Sequence, residues 1–285
     1  MSSTSRAKKI LASIVVLVSL GTFASVASAN HTWGNYHWAR TANPFTLKLG
    51  NNVSSAWNMN LLTASNDWSL SSMLDANIVP GLTDGRRCRA TNGRVEVCNS
   101  KYGNNGWLGI ASIWVNGDHI TKGTVKLNDT YFNTAAYNTP AWRQFVACQE
   151  IGHAFGLDHQ DVNFSNANLG TCMDYTNDPD GTLYGQLDNQ HPNQHDYDEL
   201  GVVYQHLDTF TTALSSVFGK KSSVFASTGL SAVTLAQAGE ADDIDTSNPA
   251  EWGKTIQKER NGRSAIHERD LGKGQKVFTF VVWAN

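Results

Sequence analysis

The residues between Gln149 and His159 have the types and spacing of a metal site. His153 lies four positions after Gln149, so on a helix both side chains project from one face, one turn apart. Glu150 lies beside them, close enough to a metal-activated water to act as its general base. Gly156 lets the chain turn sharply, which brings His159 towards the same ion. The pattern predicts a Zn²⁺ site with three protein ligands and an open position.

A helix must carry the first part of this site. Thr139 is a good N-cap residue, and Pro140 suits the first helical position because its missing N–H would be unpaired there. The helix is expected to run to about Phe155 and to end at Gly156, a favourable residue after a helix C-terminus.

The surrounding elements are read from apolar periodicity and turn residues. A helix is predicted over 53–65 and a closing helix over 196–207. Asn92-Gly93 predicts a hairpin between Cys88 and Cys98. The predicted strands cover 45–49, 107–114, 123–127, 265–271 and 276–283, of which the last two form a terminal hairpin.

The run from Gln149 to His159 resembles the extended zinc motif H-E-x-x-H-x-x-G-x-x-H of the metzincin metallopeptidases, and its surroundings most resemble the matrixin branch. The resemblance is specific over 139–175 and looser over 34–207. It implies an α+β fold of metzincin type, with a twisted mixed β-sheet, an active-site helix and a smaller C-terminal subdomain, followed by a tail with a β-hairpin.

The resemblance also implies roles for residues beyond the motif. Metzincins have a methionine turn beneath the metal, and Met173 in Thr171-Cys-Met-Asp-Tyr175 fits that place. In the astacin and serralysin branches a Tyr two residues later helps to stabilise the oxyanion, and Tyr175 is so placed. The alternative for Tyr175 is a packing role.

Gln149 departs from the family pattern, which has His as the first ligand. An amide oxygen is a weaker donor to Zn²⁺ than imidazole. Three interpretations follow. Gln149 Oε1 binds zinc directly in a weakened site, or another side chain completes the site, or the site no longer binds metal usefully. The alternative ligands are Asp158, His191 and His195.

The strand around Gly109–Ser112 has two interpretations. The resemblance implies an edge strand that pairs with an extended peptide substrate, which needs little sequence preference because the main chain provides the hydrogen bonds. The alternative is a core strand.

The four cysteines form an even set, which in an oxidising compartment favours disulfides. Three pairings are open. The turn between Cys88 and Cys98 favours that pair, which leaves Cys148 with Cys172. The second bridge would tie the active-site helix to the loop beneath the metal. None of the four matches the propeptide cysteine that keeps many matrixins latent.

The N-terminus has the features of a secretory signal peptide. Three basic residues precede an apolar run, and Ala27-Ser-Ala29 is a cleavage signature. The alternative is an uncleaved anchor helix, for which the run is short. We expect a signal peptide over 1–29, a catalytic domain over 30–207, a Ser/Ala/Thr-rich linker over 208–250 and a C-terminal hairpin segment over 251–285.

Charge excludes one class of partner. The chain has a formal net charge of −3, and the leader contains three basic and no acidic residues, so the mature chain carries −6. This balance argues against a nucleic-acid binder. Asp178 and Asp180 could bind Ca²⁺ through their carboxylates, although a turn is the favoured interpretation.

The sequence therefore predicts a secreted, monomeric zinc metalloendopeptidase that acts on protein or peptide substrates, with no membrane association after signal cleavage. The competing hypothesis is a catalytically inactive metzincin-like extracellular protein that binds a protein or glycan. Glu150 favours the enzyme, because a binding module would not need it, whereas Gln149 favours the binding protein.

Overall fold

The structure, a computed structural model, describes residues 31–213, 244–259 and 261–284. The predicted signal peptide and residues 214–243 of the predicted linker lie outside these ranges. Among the described residues, no helix is long and apolar enough to cross a membrane.

Nine strands in the described ranges form one mixed sheet. They are β1 (His37–Trp38), β2 (Phe45–Asn52), β3 (Leu74–Pro80), β4 (Val95–Ser100), β5 (Trp107–Asn116), β6 (His119–Asn128), β7 (Lys254–Lys258), β8 (Ser264–Gly272) and β9 (Gln275–Trp283). Their order is β3-β2-β4-β6-β5-β9-β8-β7, and β1 pairs with β6 beside this path.

The sheet changes character at β6. The pairs on one side, β2 with β3, β2 with β4 and β4 with β6, are parallel. On the other side β5, β9, β8 and β7 follow in antiparallel order. Every side chain of β5 from Trp107 to Val115 is buried, as expected for a strand covered on both faces.

Four α-helices lie in the described ranges. They are α1 (Asn58–Trp68), α2 (Asp129–Phe132), α3 (Pro140–His153) and α4 (Gln194–Val203). Short 3₁₀ turns cover Ser55–Trp57 and Pro249–Glu251. Helices α1 and α3 pack against each other, and α3 also packs on β5 and β6, so the mixed sheet with few helices is an α+β fold.

Helix α3 matches the predicted active-site helix at both ends. The Thr139 hydroxyl accepts a hydrogen bond from the Trp142 amide, and Pro140 occupies the first turn. After His153 the chain turns at Gly156, whose φ is +98°. A Cβ added at Gly156 would lie 2.4 Å from the carbonyl oxygen of Tyr36, so both the dihedral angle and the space require glycine here.

The predicted hairpin around Asn92-Gly93 is wrong. Gly93 has a positive φ and forms a turn, but only its C-terminal flank is a strand. That strand, β4, pairs in parallel with β2 and β6 instead of folding back on Cys88. The alternating Val95 and Val97 are both buried in the central sheet, so long-range pairing overrides the local turn signal.

The edge-strand interpretation of Gly109–Ser112 is also not met in this structure. Strand β5 lies between β6 and β9, and the Ala111–Phe280 pair marks its register with β9. The two C-terminal strands β8 and β9 therefore belong to the main sheet. The local sequence pattern of β8 and β9 predicts a hairpin, but it does not indicate that β9 pairs with β5.

Candidate functional site

Helix α3 places Gln149 and His153 on one buried face. The Gln149 amide nitrogen donates a hydrogen bond of 2.8 Å to the carbonyl oxygen of Cys172. This bond orients the side chain, because it assigns the nitrogen to the carbonyl and leaves Oε1 as the free acceptor. Oε1 is buried and has no hydrogen-bond partner. A buried acceptor of this kind is costly unless another group satisfies it.

The two histidines of the motif face each other. The ring nitrogens Nε2 of His153 and His159 lie 3.0 Å apart. His153 Nδ1 lies 2.9 Å from the carbonyl oxygen of Leu157, which can only accept, so Nδ1 carries the proton and Nε2 presents a lone pair. The turn at Gly156 produces this arrangement.

The two imidazole nitrogens lie at a separation that suits a zinc ion, and Gln149 on the same buried helix face offers an oxygen donor. Ligand atoms at 2.0–2.1 Å from a tetrahedral Zn²⁺ lie about 3.3 Å from one another. The separation of 3.0 Å between the imidazole nitrogens is close to this value. The orientation of His153 by a backbone carbonyl is typical of a ligating histidine. The residues present therefore fit zinc, with the unsatisfied Gln149 Oε1 as the oxygen donor.

Glu150 lies on the same helix, and its side chain packs against strand β5 beside Gly109. Its carboxylate is fully buried, and neither oxygen accepts a hydrogen bond of good geometry. Removal from water raises the pKa of Glu150 well above its ordinary value, and the backbone of Ala111 and Val282 acts weakly in the opposite direction. Gly109 makes this approach possible, because a Cβ there would lie 2.7 Å from Glu150 Oε1.

Met173 and the Cys148–Cys172 disulfide connect helix α3 to the loop that follows the motif. Met173 is fully buried against the helix, where a Cβ at Gly152 would come within 2.6 Å of its sulfur. The structure contains the two disulfides that the sequence favours, Cys88–Cys98 and Cys148–Cys172. Because Cys172 also accepts the amide of Gln149, the second bridge and this hydrogen bond fix the same loop to the same helix.

Tyr175 lies against the histidines but is engaged elsewhere. Its ring meets His159 edge to face, with centroids 4.5 Å apart. Its hydroxyl donates a hydrogen bond of 3.0 Å to the carbonyl oxygen of Val281 in β9. Burial raises the pKa of Tyr175 well above its ordinary value, and the charge of Glu259 in the C-terminal segment adds to this.

The alternative ligands face other partners. Asp158 Oδ1 accepts the backbone amide of His159, its neighbour in sequence. His191 pairs with Asp67 on α1, at 2.6 Å. His195 contacts His31, at 3.1 Å. None of these contacts brings the three residues into the space between His153 and His159.

The calcium interpretation of Asp178 and Asp180 finds no support. Asp178 Oδ2 accepts the backbone amides of Leu183 and Tyr184. Asp180 Oδ1 accepts the amide and the hydroxyl of Thr182. Both carboxylates therefore stabilise a turn, as the favoured interpretation expects.

Strand β9, in the C-terminal segment, covers the candidate site, and the motif pattern does not predict this contact. The ring of Phe280 in β9 stacks on the imidazole of His153, with centroids 4.4 Å apart and planes 12° apart. The backbone of Val281 holds Tyr175, and the backbone of Val282 lies beside Glu150. The only sequence signal for these residues is the nearly continuous apolar run of 277–282, which identifies a buried strand but not its neighbour in the sheet.

Comparisons with known proteins complete the description. No family model matches the chain, and no curated protein matches it. Among the solved structures, the chain is similar to high choriolytic enzyme 1, a hatching enzyme zinc-protease from Oryzias latipes (medaka fish). That similarity has a TM-score of 0.34 and 11% sequence identity, and it covers 59% of this chain and 94% of the other.

Proposed function

We propose that the protein is a secreted zinc-dependent endopeptidase whose site is formed by Gln149, Glu150, His153 and His159. One observation carries the proposal. Two imidazole nitrogens lie 3.0 Å apart beside a helix that also carries an unsatisfied amide oxygen, Gln149 Oε1, and the fully buried carboxylate of Glu150. Two imidazoles, one weaker oxygen donor and a carboxylate on the same helix would suffice for a zinc site with an open position and a general base.

When bound, Zn²⁺ would polarise the substrate carbonyl and lower the pKa of a water molecule at the site. Glu150 takes a proton from the attacking water and passes it to the leaving amine, as general base and then general acid. Its burial under β5 keeps bulk water from the carboxylate. The Tyr175 hydroxyl can donate to the developing oxyanion once its bond to Val281 is broken.

The setting agrees with an exported enzyme. Two disulfides favour an oxidising compartment, and the N-terminal sequence favours export through a signal peptide. Protein or peptide is the proposed substrate class, and the protein is proposed to act as a monomer. Extended peptides could pair with β5 only in place of β9, which occupies that side of the strand in this structure.

A second candidate is a binding protein that keeps the fold without catalysis. Two observations favour it. Gln149 replaces the stronger imidazole ligand, and β9 fills the space above His153 in this structure. In this case Glu150 would have no chemical task.

One experiment distinguishes the peptidase from the non-catalytic binding protein. Purified protein is analysed for zinc and assayed on casein, both intact and after a specific protease cuts a site introduced within 214–243. The enzyme hypothesis expects stoichiometric zinc and casein hydrolysis that Glu150→Gln abolishes while zinc remains bound. Absence of zinc after loading, or hydrolysis that Glu150→Gln leaves unchanged, contradicts it.

A further inference from the structure

A second cluster of metal-binding side chains lies where the N-terminal segment meets α4. His31 Nε2 lies 3.1 Å from His195 Nδ1 and 3.4 Å from Asp196 Oδ1. The three ligand atoms all lie within 4.8 Å of one another. These separations are close to the value of about 3.3 Å expected between ligands of a tetrahedral zinc ion.

The outer nitrogens of both rings face acceptors. His31 Nδ1 lies 3.0 Å from the carbonyl oxygen of Asp158, so this nitrogen carries the proton and His31 Nε2 presents a lone pair. His195 Nε2 faces the carboxylate of Glu199 at 4.0 Å. Hydrogen bonding of the outer nitrogen to a carbonyl is a usual support of a metal-ligating histidine, and His31 has it, whereas Glu199 approaches His195 only as a nearby charge.

The carboxylates leave acceptors unsatisfied. Asp196 is fully buried, and its Oδ2 accepts the Thr171 hydroxyl and the Asn193 amide. Its Oδ1 has no hydrogen-bond partner and faces His31. Glu199 Oε2 is likewise buried without a hydrogen bond. A simple hydrogen bond between the two imidazoles would leave Asp196 Oδ1 unsatisfied, whereas a cation bound by all three side chains would not.

The other His/Asp cluster in the described ranges provides a contrast. His37 and His206 also approach Asp208, with 3.1 Å between their Nε2 atoms. However, the guanidinium of Arg40 already binds Asp208 at 3.2 Å. The guanidinium therefore neutralises that carboxylate, whereas within the described ranges the ion-pair partner of Asp196 is a histidine, His31.

We propose that His31, His195 and Asp196 form a second Zn²⁺ site, supported by Glu199, that joins the N-terminal segment to α4. His195 is partly exposed, so the ion and a water ligand can enter from that side. The site is separate from the Gln149, His153 and His159 set and does not depend on the proposed peptidase activity. Its task is structural, because it closes the chain from the start of the described domain onto its last helix.

Zinc content tests this site. The full chain is loaded with Zn²⁺, desalted and analysed by mass spectrometry of the metal, and Co²⁺ spectra report the ligand geometry. We expect His31→Ala and His195→Ala each to weaken one zinc site by more than about tenfold, since even the loss of a supporting partner has that effect. Their matched control is His191→Ala, a histidine of the same loop that pairs with Asp67.

The count of sites decides the outcome. The proposal holds if a zinc equivalent survives His153→Ala combined with His159→Ala but is lost in His31→Ala. It is overturned if all bound zinc is lost with His153 and His159, if His31→Ala changes neither the zinc content nor the Co²⁺ spectrum, or if the chain binds no zinc.

A different observation concerns the strand that covers the candidate site. Strand β9 pairs with β5 in antiparallel register along the whole of β5, with Ala111 opposite Phe280. An extended peptide adds to a sheet by this same main-chain pairing. The side chains on the face of β9 that covers the site also pack against neighbouring aromatic rings. Phe278 packs on Trp33 and Tyr36 beside the stacked pair of Phe280 and His153.

We infer that β9 is an internal competitor for extended peptides, so that the protein is latent until β9 leaves β5. This inference rests on the proposed cleft function. It explains why Glu150 and His153 are fully buried in a site that would have to admit a peptide. Residues 214–243 connect β9 to the rest of the domain, so a cut there leaves β9 attached by non-covalent contacts and by strand pairing alone.

Peptide binding tests this inference without hydrolysis. In a Glu150→Gln background, anisotropy of labelled casein peptides is measured before and after a specific cut within 214–243, with and without Phe280→Asp. The control is Ile256→Asp, an exposed position of β7 in the same C-terminal unit. We expect Phe280→Asp after the cut to tighten peptide binding by at least about tenfold, and Ile256→Asp to have no effect.

The outcomes separate the two ideas. Equal binding by the intact and the opened chain, or no binding by either, overturns the inference about β9. Gained binding in the Glu150→Gln background, together with no hydrolysis when Glu150 is present, supports the inference and contradicts only the peptidase function.

Discussion

Phe280 and His153 form a stacked pair, with ring centroids 4.4 Å apart and an interplanar angle of 12°. The two residues lie 127 positions apart, on β9 and at the end of α3. One is a candidate metal ligand and the other comes from the last strand of the chain. The stability of the C-terminal strand and access to the ion are therefore coupled through one aromatic contact.

Phe280→Ala should lose stability and open the metal site. We expect a fall of about 3–5 kcal/mol in the free energy of unfolding, as for other buried aromatic residues. The rate at which a chelator removes zinc should rise. Phe278→Ala is the matched control, because both rings contact Trp33 but Phe278 packs on Tyr36, whereas Phe280 stacks on His153. Equal chelation rates in both variants would show that the stacked ring does not control access.

Gln149→His should tighten zinc binding, because imidazole is a better donor to Zn²⁺ than an amide oxygen. The new ring replaces the amide oxygen of residue 149, which is buried without a hydrogen-bond partner. Competition with a chromogenic chelator measures the affinity. An unchanged affinity would mean that residue 149 does not contact the ion.

Gly156→Ala should destabilise the domain by more than about 1–3 kcal/mol, the usual cost of one residue in a sparsely populated backbone conformation. The added methyl group must also displace the carbonyl oxygen of Tyr36. Gly201 on α4 is the control, since nothing lies within 4 Å of a Cβ there, and Ala should stabilise that helix slightly. Urea unfolding distinguishes them. Similar midpoints for both variants would contradict the assigned turn.

The two disulfides should differ in what their removal does to the metal. Replacing Cys148 and Cys172 by Ala should cost about 0.8 kcal/mol more than replacing Cys88 and Cys98, since the closed segments span 24 and 10 residues. Only the first change should weaken zinc binding, because Cys172 holds the amide of Gln149. Unfolding curves and zinc titrations check both statements. Equal zinc affinities in the two double variants would contradict this role of the Cys148–Cys172 loop.

The His191–Asp67 pair should make stability depend on pH. Its hydrogen bond to Asp67 raises the pKa of His191 above the ordinary value of 6.5. The contribution is therefore fully present below pH 6.5 and is lost as the pH rises through the raised pKa. Because His191 is about half exposed, we expect His191→Gln to cost under about 1 kcal/mol at pH 6 and nothing at pH 9. The same loss at both pH values would exclude this ion pair as the cause.

The local features of the site could be read from the sequence. Helix α3 begins with the Thr139 cap and ends before Gly156 as predicted, because caps and turns act through neighbouring residues. The helical spacing of Gln149 and His153 likewise follows from geometry alone. These features need no knowledge of the rest of the chain.

The long-range features could not be read in the same way. Strand β4 pairs in parallel with β2 and β6, whereas Asn92-Gly93 suggested a hairpin. Helix α4 begins at Gln194 rather than at Asp196, because Asn193 and Asp196 form a reciprocal cap. The contact of His31 with His195 spans 164 positions, and the sequence pattern indicated only His195 as a candidate metal ligand. Such pairings depend on which surfaces meet in the folded chain.

The disulfide between Cys148 and Cys172 also makes the position of Gln149 depend on the redox state of the protein. While both thiols are reduced, no covalent link holds the loop of Met173 to α3, and the carbonyl that orients Gln149 can drift. If Gln149 ligates zinc as proposed, oxidation is the step that fixes this donor. A chain kept in a reducing compartment would then hold zinc more weakly than the same chain after oxidation.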